Sequence, residues 1–145
     1  MKYTRGSHCV SYLKYHVVWT TKYRRKVLRP DVQVYLRKLL PTLLKRLPGV
    51  SLESIGFDKD HVHLVIVIPP KYAISEVMGI LKSQSSSRLR KKFAFLEKYY
   101  WAEDKVFWSP GYLVSSVGVS EAAVKNYVER QGRQDSGEKQ RKLFL

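Results

Sequence analysis

The sequence has a single cysteine and no long run of apolar residues. The one thiol, that of Cys9, cannot form a disulfide within the chain or build a zinc site of several cysteines. No segment approaches the roughly 20 consecutive apolar residues that a membrane-spanning helix needs. The N-terminus also lacks the apolar stretch and the small-residue cleavage site of a secretory signal peptide. We therefore expect a protein of the reducing cytoplasm that does not insert into a membrane.

Acidic residues are also scarce. The 145-residue chain has 12 Asp and Glu against 27 Lys and Arg, which gives a formal net charge of +15. A positive field of this size indicates a polyanionic partner, first of all a nucleic acid and second a membrane surface. The length and the 44% hydrophobic content suit one domain. We predict a single domain over 1–145, with a core at about 10–132 and a flexible basic tail at 133–145.

The predicted elements follow the order strand, helix, strand, strand, helix, strand and a final helix. Strands, rich in β-branched and aromatic residues, are predicted at 10–19, 50–58, 61–68 and 112–119. Helices are predicted at 31–47, 75–93 and 120–131, with Ser75 and Ser120 as N-caps and a kink or break at Pro41. This order predicts an α+β, ferredoxin-like or RRM-like fold: an antiparallel sheet with two helices on one face, plus an added C-terminal helix.

The strand predicted at 61–68 begins with two histidines, in the stretch "HVHLVIVI". Because alternate residues of a strand point to opposite faces, His61 and His63 share a face with Val65, whereas Val62 belongs to the apolar face that must pack on another layer. Two imidazoles on one face can converge on one metal ion. Two ordinary surface histidines are the alternative, and the short pattern alone favours that alternative.

The final predicted helix carries two further polar groups. Tyr127 and Gln131 are four residues apart and therefore lie on one helical face. The phenol of Tyr127 is a nucleophile when deprotonated, and the amide oxygen of Gln131 can coordinate a cation. A packing role is the alternative for Tyr127, although Val124 and Val128 already supply this helix with apolar residues. A divalent ion held by the two histidines and the amide of Gln131 could polarise a DNA phosphodiester, and Tyr127 could then attack the phosphorus.

Four blocks of the sequence resemble the single-tyrosine HUH transposases, the transposase A (TnpA) family of bacterial and archaeal insertion sequences. "YHVVWTTKYRRKVL" resembles the first-strand motif of that family, and "DHVHLVIVIPPKYAISEVMGILKSQSSSRLRKKF" resembles its signature region. "WSPGYLVSSVG" is similar to the segment before the family's catalytic helix, and "YVERQ" to the Tyr-x-x-x-Gln on that helix. The blocks extend in order from about Tyr12 to Gln131, which makes the resemblance more specific than any single motif.

The resemblance implies a role for each matching residue. Tyr127 corresponds to the nucleophile and Gln131 to the third protein ligand of Mg²⁺ or Mn²⁺, while His61 and His63 correspond to the HUH pair. The implied enzyme cleaves and rejoins single-stranded DNA at insertion-sequence ends through a 5′-phosphotyrosine intermediate, and it recognises DNA hairpins. The resemblance also implies a homodimer in which the tyrosine helix of one subunit can complete the HUH site of the other. Imidazole ligands by themselves favour Mn²⁺ over Mg²⁺.

Basic residues form two clusters, one after the first predicted strand and one on the second predicted helix. With a net charge of +15 and an implied DNA reaction, we predict phosphate contact rather than a merely solvated surface. The residues predicted to contact DNA are Lys22, Arg24, Arg25, Lys26, Lys82, Ser85, Arg88 and Lys91. Four aromatic residues could stack on unpaired bases, although core packing is the stronger expectation for most of them: Tyr23, Trp101, Phe107 and Trp108.

Two other functions fit part of the pattern. A non-catalytic RNA-binding module of the same fold would use its sheet face and aromatic residues. The usual aromatic motifs of such modules are not evident, and the histidine pair would have no task. A domesticated relative would process chromosomal repeat hairpins without transposing. The protein sequence does not separate this relative from a mobile-element enzyme, whereas end hairpins in the flanking DNA would.

Overall fold

The computed structural model describes the backbone of residues 3–100 and 106–143 and the side chains of 3–99 and 106–137. The strands in these segments are β1 (Thr4–Arg5), β2 (Val10–Ser11), β3 (Lys14–Thr20), β4 (Ser51–Phe57), β5 (His61–Val67) and β6 (Leu113–Ser115). The helices are α1 (Pro30–Leu43), α2 (Ile74–Lys92), α3 (Glu97–Tyr100) and α4 (Glu121–Leu143). None of the helices in the described segments is long and apolar enough to cross a membrane.

The main sheet has the strand order β4–β5–β3–β6, and all neighbouring strands are antiparallel. The central pair is β3 and β5, whose register places Lys14 opposite Val67 and Thr20 opposite His61. In a ferredoxin-like sheet the first and third strands of the β-α-β-β-α-β unit are also the central pair. The predicted α+β fold with an added C-terminal helix is therefore confirmed.

The hydrophobic core takes the apolar face of the sheet together with α1 and α2. From β5 it receives Val62, Leu64 and Ile66, which are fully buried. Spacings of three and four residues bring Leu36 and Leu40 of α1 to the same core. Burying one such aliphatic side chain stabilises the fold by roughly 1.5–3 kcal/mol. The alternation predicted for β5 is thus observed, and its histidines lie on the face opposite to this core.

Three predicted boundaries differ from the structure. The strand predicted at 10–19 is divided, because β2 pairs with β1 in a separate small sheet and β3 begins only at Lys14. The strand predicted at 112–119 is reduced to β6, which pairs with just three residues of β3. Helix α1 continues through Pro41 and ends at Leu43, where a 3₁₀ turn follows. Pro41 therefore does not interrupt α1, which ends two residues after it and four residues before the predicted end at 47.

One of the two predicted serine caps is observed. The Oγ of Ser120 accepts a hydrogen bond from the N–H of Ala123 at 3.1 Å and so caps α4. Ser75 does not cap α2, because the helix begins one residue earlier, at Ile74, and the extended residue before it is Ala73. Ile74 packs against the core, which draws this first turn into the helix.

Helix α4 continues as far as Leu143, through most of the segment predicted to be a flexible tail. The carboxylate of Asp135 is buried there and accepts hydrogen bonds from the Tyr23 N–H at 3.0 Å and the Ser109 hydroxyl at 2.9 Å. The Lys22 ammonium lies 3.4 Å from the same carboxylate. We call these contacts of Asp135 the α4 seat. A buried ionic contact leaves no apolar periodicity in the sequence, which is why the tail looked merely polar.

We predict that Asp135→Ala lowers the free energy of unfolding by roughly 3–5 kcal/mol, because the buried Lys22 ammonium loses this carboxylate. Urea denaturation of the full chain measures the loss. The double variant Lys22→Met/Asp135→Ala should recover part of it, since both charges are then removed. Asp31→Ala breaks an exposed pair with Arg29 and serves as the control. If Asp135→Ala lowers the free energy of unfolding by no more than an exposed ion pair contributes, about 1 kcal/mol or less, the contacts of the α4 seat do not stabilise the fold as described.

Candidate functional site

His61 and His63 project from β5 on the sheet face opposite to α1 and α2, beside Thr20 and Val18 of β3. Helix α4 contacts β3 on this side and borders a half-open cavity of about 780 Å³. Four basic, four acidic and three valine side chains line the cavity together with the two histidines: Arg24, Lys26, Lys59, Lys125, Asp58, Asp60, Glu121, Glu129, Val119, Val124 and Val128. The predicted histidine pair therefore shares one charged cavity beneath the C-terminal helix.

Asp60 holds the ring of His61. Nδ1 of His61 lies 2.9 Å from Oδ1 of Asp60, and Nε of Arg24 donates to Oδ2 of the same carboxylate at 3.2 Å. Burial raises the pKa of Asp60, but the bonds from His61 and Arg24 outweigh this effect and leave that pKa below its ordinary value. The ionised carboxylate favours the tautomer of His61 that carries its proton on Nδ1. This tautomer leaves Nε2 as a free ligand atom.

His63 also has a nitrogen suited to a metal ion. Its Nε2 is buried and has no hydrogen-bond partner among the described residues. Burial lowers the pKa of His63, and the neighbouring imidazoles of His16 and His61 lower it further. The ring of His16 is centred 5.8 Å from that of His63. Because a metal ligand must be a neutral imidazole with a free lone pair, the nitrogen donors of this face fit a divalent ion.

Tyr127 lies on a different flank of α4. It lines a cleft of about 320 Å³ together with Arg130 and Arg133. Its hydroxyl is buried without a hydrogen-bond partner in the described segments, and a Cβ at Gly111 would lie 3.9 Å from it. Burial raises the pKa of Tyr127 to about 12; the Asp135 carboxylate adds to this rise and Arg130 opposes it. In this position the phenol is protonated at neutral pH and is a weak nucleophile.

Gln131 lies one helical turn beyond Tyr127, and both side chains are half-buried on the same flank of α4, as the spacing predicts. Gln131 lines a cleft that adjoins the one around Tyr127, and neither residue lines the histidine cavity. That cavity instead receives Val124 and Val128 of α4. No three His, Cys, Asp or Glu side chains within the described part of the chain could hold an ion together. Within a single chain, the pair of His61 and His63 therefore lies apart from the pair of Tyr127 and Gln131.

Three of the residues predicted to contact DNA are engaged inside the protein. Lys22 is buried in the α4 seat. Ser85 is also buried, and its Oγ accepts a hydrogen bond from Nε1 of Trp108 at 2.9 Å. Lys82 donates to two carbonyl oxygens of the loop before β6 at 2.7 Å each, and burial lowers its pKa to about 8. Lys22 and Ser85 are thus buried and Lys82 is half-buried, and contact of these three residues with DNA stays a prediction.

The other five predicted DNA contacts retain exposed or half-exposed side chains. Lys26, Arg88 and Lys91 are exposed. Arg24 is exposed as well, although its Nε is bonded to Asp60. Arg25 is half-buried, with its guanidinium 5.0 Å from the centre of the Tyr23 ring. Only Arg24 and Lys26 of these five line the histidine cavity.

The aromatic residues considered for base stacking are mainly packing residues. Phe107 and Trp108 are buried, with ring centroids 4.6 Å apart. Tyr23 is half-buried, and Trp101 lies outside the described residues. Helix α4 also covers part of the sheet face that an RNA-binding module of this fold would present to its ligand. The geometry therefore does not favour the RNA-binding alternative.

Relatives of this chain are found among the transposases of insertion sequences. The family described as "Transposase IS200 like" matches residues 9–131, which include both histidines, Tyr127 and Gln131. The chain is 33% identical over 125 residues to the transposase for insertion sequence element IS200 of Salmonella typhimurium, across 84% of this chain and 78% of the relative. It is 29% identical over 128 residues to the ISDra2 transposase TnpA of Deinococcus radiodurans, across 88% and 89% of the two chains.

Two solved structures have a similar fold, and both are described as transposases. The crystal structure of a candidate transposase from Deinococcus radiodurans R1 gives a TM-score of 0.76 at 31% identity, and the likeness covers 88% of this chain and 97% of that one. A REP-associated tyrosine transposase bound to a REP hairpin gives a TM-score of 0.54 at 13% identity, covering 86% and 68%. The second likeness concerns the fold alone.

We predict that Tyr127→Phe removes the part of the phenolate absorbance that develops near pH 12. The absorbance that develops near pH 10, the ordinary pKa of tyrosine, should be the same in both proteins. The reason is that burial and the Asp135 charge disfavour the phenolate while α4 is seated. Near-ultraviolet difference titration of the two proteins measures this. If the variant instead lacks absorbance near pH 10, the hydroxyl of Tyr127 is not buried as described.

Proposed function

The chain belongs to the IS200-like transposase family, and we propose from this premise that it is a metal-dependent, single-tyrosine transposase of the HUH type. In this proposal it acts in the cytoplasm, where it cleaves and rejoins single-stranded DNA at insertion-sequence ends through a 5′-phosphotyrosine intermediate. The observation that carries the proposal is the histidine pair: Asp60 holds one ring, and the other has a buried nitrogen with no partner among the described residues. Four basic side chains line the same cavity and suit a phosphate.

The proposed metal site uses residues of two elements. His61 and His63 would hold Mg²⁺ or Mn²⁺ through Nε2, with the amide oxygen of Gln131 as the third protein ligand. The bound ion supplies Lewis-acid polarisation of the scissile phosphate. Imidazole donors favour Mn²⁺ of the two ions. Arg24 and Lys26, which line the same cavity, would contact the phosphate oxygens and position the strand.

The proposed nucleophile is the phenol oxygen of Tyr127. That oxygen loses its proton to solvent and bonds to phosphorus, while the bond from phosphorus to the 3′ oxygen breaks and the leaving oxygen gains a proton. The 5′ end of the cut strand stays on the tyrosine, and attack by another 3′-hydroxyl reverses the step without ATP. With a pKa of about 12 on the seated helix, Tyr127 needs a different environment before it attacks.

We propose that this environment is the histidine cavity of a second subunit. In one chain, Tyr127 and Gln131 lie on a flank of α4 that does not line the cavity of His61 and His63. In a two-fold dimer, the same flank can serve the partner's cavity, and each cavity then gains both groups that it lacks. This arrangement would account for a chain that has all four residues and keeps the two pairs apart.

The proposed substrate is single-stranded DNA with a hairpin near the cleavage point. A solved relative of the same fold is described as bound to a REP hairpin, which makes hairpin DNA the first substrate to test. Exposed Arg88 and Lys91 on α2 could contact phosphates outside the histidine cavity. These contacts would add affinity without reading base sequence.

We predict a covalent protein–DNA adduct when the chain is incubated with Mn²⁺ and labelled single-stranded hairpin DNA taken from the flanks of its own gene. Tyr127→Phe should reduce the adduct to background because the attacking oxygen is gone. His61→Ala should also lose the adduct while retaining DNA binding. Denaturing electrophoresis detects the adduct, and Tyr112→Phe, a change at a half-buried tyrosine outside the histidine cavity, is the matched control. An adduct that persists in Tyr127→Phe would assign the nucleophile elsewhere.

We further predict that two inactive variants restore activity when mixed. His61→Ala retains Tyr127, and Tyr127→Phe retains the histidines, so a mixed dimer has one complete site if the sites are shared between subunits. Random exchange should give about a quarter of the wild-type adduct, since half of the dimers are mixed and each has one complete site. If each site is built within one subunit, the mixture stays inactive. Each variant incubated alone at the same total concentration is the control.

A further inference from the structure

Two consecutive residues other than glycine adopt left-handed backbone conformations in the connection after β3. The φ angles are 60° for Tyr23 and 52° for Arg24. Side chains with a Cβ disfavour this region, so the surrounding structure has to impose such a conformation. The Tyr23–Arg24 turn is therefore a segment whose shape depends on what packs against it.

Helix α4 is the element that packs against this turn. The Asp135 carboxylate accepts the hydrogen bond of the Tyr23 N–H at 3.0 Å. One helical turn earlier, the buried Gly132 lies against the side chain of Arg24, where a Cβ on the glycine would come within 2.8 Å of the Arg24 Cγ. Only glycine permits this approach without displacing the arginine. The helix thus contacts both the backbone and the side chain of the turn.

The Tyr23–Arg24 turn directs the side chain of Arg24 towards the histidine site. Nε of Arg24 donates to Oδ2 of Asp60 at 3.2 Å, and Oδ1 of Asp60 lies 2.9 Å from Nδ1 of His61. The backbone of Asp60 is fixed from the same connection, because its carbonyl oxygen accepts a hydrogen bond from the Thr21 N–H at 2.9 Å. A continuous set of contacts therefore leads from α4 to a residue of the histidine pair.

We propose that the seating of α4 sets the ring orientation and tautomer of His61 through Arg24 and Asp60. Asp60 and Arg24 are then positioning residues for the metal site, and the tyrosine helix and the ion are coupled. The inference rests on the proposed function for the metal itself. Because binding linkage is reciprocal, an ion held by His61 also stabilises the seated helix. Movement of α4 during strand exchange would therefore also lower the affinity of the histidine site for the ion.

The first test is the affinity of the full chain for Mn²⁺, measured by electron paramagnetic resonance of the free ion. Asp60→Asn should weaken binding by roughly 10- to 100-fold, since an amide cannot accept from both His61 and Arg24. Asp58→Asn is the matched control: Asp58 lines the same cavity, and its Oδ1 is bonded to the Lys59 N–H. If Asp60→Asn weakens binding no more than the control, the positioning role is wrong.

The second test starts from the helix. Asp135→Asn should weaken Mn²⁺ binding by roughly 2- to 30-fold although it lies outside the histidine cavity. Gln134→Ala, a change at the exposed neighbour of Asp135 that does not line the histidine cavity, should stay within about two-fold of wild type. Arg24→Met tests the link without disturbing the seat, because its aliphatic part can still pack under Gly132. Wild-type affinity in both Asp135→Asn and Arg24→Met would overturn the coupling.

A third measurement separates this inference from the metal proposal. Long-range ¹H–¹⁵N spectra of the metal-free chain report the His61 tautomer directly, with the Nδ1–H form expected in wild type and a larger share of the Nε2–H form in Asp60→Asn and Arg24→Met. An unchanged tautomer in both variants contradicts the positioning role whether or not the ion binds. If wild type and His61→Ala bind Mn²⁺ equally, the proposed metal site fails, while the tautomer spectra still test the link.

Discussion

The carboxylate of Asp135 is buried under α4, with hydrogen bonds from the Tyr23 N–H and the Ser109 hydroxyl and with the Lys22 ammonium 3.4 Å away. A buried carboxylate without such partners is strongly unfavourable, so α4 can cover the sheet only in the position that brings Asp135 to these groups. Residues seven apart lie on nearly the same side of a helix, which places Val128 above the histidine cavity. Tyr127 is then carried to the neighbouring flank.

The cavity that results combines two kinds of charge. Four acidic and four basic side chains line it, whereas the chain as a whole has a net charge of +15. The excess positive charge therefore lies mostly outside the cavity, where it attracts a polyanion over a long range. Within the cavity the acidic groups favour a cation, and Arg24 and Lys26 favour a phosphate. An ion and a phosphate bound together would satisfy both sets of charges better than either one alone.

The sequence allowed prediction of those features that depend on short spacing. Alternation in β5 placed His61 and His63 on one face, and four-residue spacing placed Tyr127 and Gln131 on one flank. The α4 seat was not predicted because it joins Tyr23 to Asp135, 112 residues later, through polar groups alone. The burial of Lys22 and Ser85 was missed for the same reason, since a basic or hydroxyl residue looks exposed until its partner is known. A usable signal was present in the spacing of Val128, Gly132 and Asp135, which marks one continuous face of a longer helix.

The separation of the two pairs has a chemical consequence under the proposed mechanism. While α4 is seated, burial keeps the phenol of Tyr127 protonated, with a pKa of about 12, and its hydroxyl is shielded beside Gly111. The ion site of the same chain therefore faces valines and charged side chains rather than a nucleophile. Cleavage would require two events together: arrival of a partner's cavity at the Tyr127 flank, and arrival of a phosphate between them. A lone subunit could then bind DNA without cutting it, which restricts strand breakage to complexes in which a second subunit is present to rejoin the ends.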